Sequence, residues 1–156
     1  MSLSNRFDAL ATASALLAGK VTLVHLLCAR TRLMIGKPAQ PEDSSSLSNA
    51  FFKGALFCTG PSLGGLDFIL RCERVTANCA QNEPFFLLLA LLGELSGKVP
   101  HADGERLLVV YCAARTAHTA AYFLGPKLGS ALRSLSYSAG AFTTLGFAGL
   151  ALGFGQ

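Results

Sequence analysis

The sequence predicts an all-α, integral-membrane four-helix bundle with up-down topology. Three observations point there. The chain is 51% hydrophobic and only 14% charged, with a mean hydropathy of +0.46, where a soluble domain carries about 25% charged residues. Apolar runs of membrane-spanning length recur along it, separated by polar connections. Inside those runs the polar residues fall at helical intervals rather than at the alternation of a strand.

The first helix, about 9–30, reads ALATASALLAGKVTLVHLLCA, close to the roughly 20 residues a bilayer span needs. A cleaved leader would have a shorter apolar centre, and Lys20 and His25 interrupt this one, so a retained helix is expected. Lys20 lies too deep to reach water easily and should face other helices. Residues about 34–65 form a connection rich in proline, serine and acidic residues. The second helix, about 66–96, opens with an amphipathic half in which Arg71, Arg74, Asn78 and Gln81 share one stripe. Its second half, PFFLLLALLGEL, is apolar, and Pro84 should kink it by removing a backbone donor. A polar turn follows, with His101 as an exposed loop histidine. The third helix spans about 107–125. A tight loop around Pro126 leads to the fourth, about 133–155, which contains Gly149 and Gly153 as a GxxxG. One domain over 1–156 suits this length.

Charge sets the expected orientation. Arg30, Arg32, Lys37, Lys53, Arg71, Arg74, Lys127 and Arg133 flank two connections on one side, against Arg6, Lys98 and Arg106 on the other. The positive-inside rule then places the 34–65 connection and the loop between the third and fourth helices in the cytoplasm. The net charge of +4 sits at the ends of apolar runs, with no aromatic-interleaved basic patch, so no nucleic-acid partner is expected. Cys28, Cys58, Cys72, Cys79 and Cys112 show neither CxxC nor metal-ligand spacing. They read as small apolar packing residues, and no metal is expected.

With this topology the polar stripes meet at one depth. Arg32 leaves the first helix there, and Arg74, Asn78 and Gln81 enter the second. His118 and Tyr122 leave the third, with Arg115 one turn earlier, and Arg133, Ser134 and Tyr137 open the fourth. A four-helix bundle gathers them near the cytoplasmic boundary. Arginines at such a boundary ordinarily bind lipid headgroups. Four helices agreeing in depth favour a basic pocket for a small polyanion with carboxylates, which guanidinium forks pair bidentately. The start of the fourth helix should add partial positive charge, with Ser134 in its first turn.

These residues resemble a known family, the membrane-associated proteins in eicosanoid and glutathione metabolism (MAPEG), and within it the microsomal prostaglandin E synthase and microsomal glutathione transferase branch. RTAHTAAY followed by RSLSY, from Arg115 to Tyr137, is similar to the family pattern R-x-x-H-T-x-x-Y and R-S-x-x-Y. RCERVTANCAQNEPFF matches its second-helix motif at Arg74, Asn78, Asn82 and Pro84. Arg32 followed by PED at Pro41–Asp43 is similar to the exit of its first helix. The resemblance implies a homotrimer that binds glutathione near the cytosolic face, through Arg32, Arg74, Asn78, Gln81, His118, Tyr122, Arg133 and Tyr137. It places Arg133 and Ser134 near the thiol and gives Asp43 a catalytic position. The family's second-helix glutamate is Gln81 here, and Glu83 points elsewhere on the helix.

The expected protein is a glutathione-dependent enzyme of the endoplasmic reticulum membrane. It would activate the thiolate for transfer to, or reduction or isomerisation of, a lipophilic electrophile, hydroperoxide or endoperoxide drawn from the lipid. The alternative is a non-enzymatic lipid-presenting scaffold, like the family's lipoxygenase-activating member.

Overall fold

In a computed structural model of the chain the described residues are 3–35, 65–124 and 126–154. They form four helices: α1 (Leu3–Met34), α2 (Gly65–Ser96), α3 (His101–Ala121) and α4 (Pro126–Leu152). The all-α, four-helix architecture is the one the apolar pattern predicts. Asp43 and Pro41 lie outside the described residues. α1 and α4 hold segments long and apolar enough to cross a membrane, Phe7–Met34 and Leu128–Leu152. α2 and α3 are broken up by charge, Glu83 and Arg115 among it.

The helix starts differ from the sequence reading, each for a local reason. α3 begins at His101 rather than near Leu107. Pro100 caps it with a non-helical ψ of 131° and accepts the Gly104 N–H at 2.9 Å. Asp103 in the first turn suits the positive end of the helix. His101 is therefore a half-buried helical residue, with a buried Nδ1 that has no partner among the described residues, and not an exposed loop histidine. α4 begins at Pro126, whose fixed φ and missing N–H cost nothing at a first helical position. Arg133 and Ser134 thus lie about two turns inside the helix, beyond the reach of a macrodipole confined to the first turn. The contribution expected from the helix start does not reach them.

The chain divides into two compact units, residues 1–20 with 78–156, and residues 21–77. In the first, α3 and α4 pack closely and run antiparallel. Gly129 lies against Ala121, Gly140 against Arg115, Gly146 against Leu107, and Phe147 against Gly104. A Cβ on Gly129 would stand 2.5 Å from the Ala121 carbonyl oxygen, so this approach needs glycine. The core joins Leu10, Ala13 and Leu17 of α1 to Phe86 and Ala90 of α2, Leu108 and Tyr111 of α3, and Phe147 of α4. The Phe86 and Tyr111 rings stack at 3.5 Å, and Phe147 meets Phe86 edge-on at 5.9 Å. The Gly149–Gly153 pair serves α4 itself. Gly153 has φ +88°, and Phe154 N–H donates to the Gly149 carbonyl at 2.9 Å while Gly153 N–H donates to that of Leu150 at 3.0 Å. This is a Schellman cap.

In the second unit the end of α1 and the start of α2 bury Val24, Thr31, Ile69, Cys72 and Val75. The Thr31 hydroxyl is satisfied by the Leu27 carbonyl at 2.9 Å. Arg32 pairs with Glu73, and Arg71 with Asp67 at 2.7 Å.

Candidate functional site

The first unit carries two linked polar clusters. The outer one lies between the end of α3 and the middle of α4. His118, 6% exposed, is one turn before Tyr122, and their rings meet edge-on at 5.4 Å. Tyr137 tilts against the same imidazole at 6.1 Å. The Arg133 guanidinium lies over the Tyr122 ring, 5.2 Å from its centroid, a cation–π contact. His118, Tyr122, Arg133 and Tyr137 are four of the residues expected in the site, and they stand together.

Hydrogen bonding fixes the imidazole. Its Nδ1 is 3.1 Å from the Arg133 carbonyl oxygen and 3.3 Å from Ser136 Oγ. A carbonyl can only accept, so Nδ1 carries the proton. Ser136 donates its own hydrogen to the Leu132 carbonyl at 2.5 Å and so offers Nδ1 a lone pair. The other nitrogen, Nε2, is then an acceptor, and it is buried with no partner among the described residues. Such a group is costly to leave unmade and can be filled by an N–H or S–H donor. Ser136 was not anticipated. Ser134, which was, is exposed.

The inner cluster is ionic. Glu83, 5% exposed, accepts from Lys20 of α1 and, at 3.4 Å, from Arg115 Nε of α3. Arg115, 2% exposed, also reaches Asn78, donating from Nη2 to its side-chain Oδ1 and, at 3.4 Å, to its backbone carbonyl. Tyr111 OH donates to the Asn82 carbonyl at 3.2 Å. Lys20 does face other helices, and Arg115 forms an interhelical ion pair with Glu83. A cleft of about 120 Å³ opens between α2 and α4, lined by Gln81, Asn82, Phe85, Arg115, Tyr137 and Thr144 among others. It brings Gln81 and Tyr137 to one surface, with Arg115 behind them.

Two expected ligands belong to the second unit. Arg32 is engaged by Glu73, and Arg74 is exposed on α2. Among the described residues no cluster of three or more potential metal ligands occurs.

Long apolar helices enclosing a buried ion network and an imidazole–tyrosine–arginine cluster define an all-α protein of the membrane class. The chain belongs to the MAPEG family, whose profile matches residues 10–153. Comparison with individual curated proteins gives no match.

Proposed function

We propose that this protein is a glutathione-dependent membrane enzyme of the prostaglandin E synthase and glutathione transferase branch. The observation that carries the reading is the meeting of His118, Tyr122, Arg133 and Tyr137 around a buried imidazole nitrogen without a partner. The side chains fit the tripeptide. Arg133, the tyrosine hydroxyls and the Asn78 amide can donate to its carboxylates and carbonyls, and His118 Nε2 accepts one N–H or S–H. The resemblance adds Arg32 and Arg74 to the glutathione set, with Gln81 as a neutral acceptor.

Arg133, with Ser134 on the following residue, is the thiol-activating group. A guanidinium beside sulfur favours thiolate over thiol, and the thiolate is the nucleophile. Asp43 is assigned a catalytic role by resemblance alone. The second substrate is a lipophilic electrophile, hydroperoxide or endoperoxide from the bilayer. The assembly is a homotrimer in the endoplasmic reticulum membrane, with the site on the cytosolic side.

The test uses the full chain in detergent. Adding glutathione should produce thiolate ultraviolet absorbance, and a generic aryl halide should be conjugated. The absence of both thiolate and glutathione binding would reject the enzyme and leave the lipid-presenting scaffold.

A further inference from the structure

Among the described residues Asn78 is held at its oxygen end, by Arg115. Arginine has no acceptor, so the atom facing Arg115 Nη2 must be the amide oxygen. This removes the usual ambiguity between the amide's oxygen and nitrogen. The backbone carbonyl of Asn78 is taken as well, by Arg115 Nη2 and by Asn82 Nδ2 at 2.7 Å. What the half-buried Asn78 side chain has left to offer is Nδ2, a donor.

Arg115 itself is fixed from behind. Its Nε donates to Glu83, and Glu83 is anchored by Lys20 from a third helix. The planar fork of arginine can serve Glu83 with one nitrogen and Asn78 with another, which a lysine ammonium at this position could not reproduce. The same arrangement consumes the carboxylate. Glu83 lies two residues from Gln81 yet turns inward to two cations, and the described residues lining the α2–α4 cleft include no acid.

We propose that Arg115 is a positioning residue for glutathione: held by Glu83 and Lys20, it grips Asn78 by Oδ1, so that Asn78 meets the ligand only as an N–H donor. The proposal rests on the glutathione reading above and adds a specificity to it. Among the described residues, the site meets the tripeptide's carboxylate and carbonyl oxygens with donors and offers its ammonium neutral acceptors but no carboxylate. A ligand without the amine should bind nearly as well.

Calorimetric titration of the full-length protein in detergent tests this, with glutathione and its des-amino analogue, glutaryl-cysteinyl-glycine. The wild type should bind the two within about threefold, since no ion pair with a carboxylate is lost. Asn78→Asp keeps an acceptor for Arg115 but replaces the donor with a negative charge. Its melting temperature should hold while glutathione affinity falls about 30-fold, the size expected for a lost bond to a charged group. Arg115→Lys keeps the charge toward Glu83 and loses the second arm. KM for glutathione should rise about tenfold with kcat little changed, the signature of lost binding common to ground and transition states. A purely structural network would not produce that split.

Three results would overturn the proposal: Asn78→Asp binding glutathione as the wild type does, Arg115→Lys leaving KM unchanged, or the wild type losing more than about tenfold on removal of the amine. If Asn78→Asp fails to fold, the Arg115→Lys kinetics and the two wild-type titrations still decide. A wild type that binds neither ligand rejects the glutathione reading itself, which separates that failure from the others.

Discussion

Glu83 holds Lys20 of α1 and Arg115 of α3 with a single buried carboxylate. With all three groups charged, the cluster carries one surplus positive charge inside the first unit. Its two cations are not equivalent to its anion. Glu83→Gln leaves two buried cations facing each other and should destabilise by about 3–5 kcal/mol, as breaking a buried pair does. Lys20→Met leaves a neutral Glu83–Arg115 pair and removes the surplus charge, so it should cost less than about 1.5 kcal/mol. Thermal unfolding in detergent measures both, and the reverse order would refute the assignment of Glu83 as the hub.

Gly93 packs where three elements converge. A Cβ there would stand 2.5 Å from Phe147 Cε1 and 3.0 Å from Val99 Cγ2. Gly93→Ala should therefore destabilise by about 1–3 kcal/mol, the usual cost of overpacking, despite the better helix propensity of alanine. Phe147→Leu removes the clashing ring edge and loses ring packing against Phe86. The double variant should be more stable than the sum of the two single costs predicts, by about 1 kcal/mol in a thermodynamic cycle. Strict additivity would mean that the ring does not abut Gly93.

His118 is set by its neighbours, so its contribution should be to binding. His118→Phe keeps an aromatic ring against Tyr122 and Tyr137 and removes both nitrogens. The expected result is a rise of about tenfold in KM for glutathione, with a smaller change in kcat. Ser136→Ala removes only the second acceptor of the Nδ1 proton, since the Arg133 carbonyl remains, and should cost no more than about threefold. Steady-state kinetics with varied glutathione distinguish the two.

The helices are legible in the sequence because lipid and core both demand apolar faces, and the polar residues that survive inside them fall at helical spacing. Their starts are less so. Pro126 reads as a loop residue in the sequence, yet its fixed φ also suits the first helical position it takes in α4. His118, Tyr122, Arg133 and Tyr137 stand together in the structure, and the sequence groups them because they line up along two helices. Ser134 is expected from its place beside Arg133, whereas Ser136 is the serine that meets His118. The two serines are about 200° apart on α4, and which one meets His118 depends on how α4 packs against α3. Glu83 escaped for the same reason. Two residues from Gln81, it points the other way, toward cations contributed by helices far away in the chain.

Arg133 has two separable roles, because its carbonyl and not its side chain fixes His118. Arg133→Ala keeps that hydrogen bond and deletes only the guanidinium over Tyr122. A cation–π contact of this kind is worth about 0.5–1 kcal/mol at an accessible site, so the fold should survive with a melting temperature within a few degrees of the wild type. Thiolate absorbance on adding glutathione should be abolished, because the charge that favours sulfur's anion is gone. Arg133→Lys should recover part of it, since an ammonium supplies the charge without the planar stack on Tyr122. Full thiolate absorbance in Arg133→Ala would transfer the activating role to another group. Loss of folding in Arg133→Ala together with an intact, thiolate-forming Arg133→Lys would make the guanidinium a packing element instead.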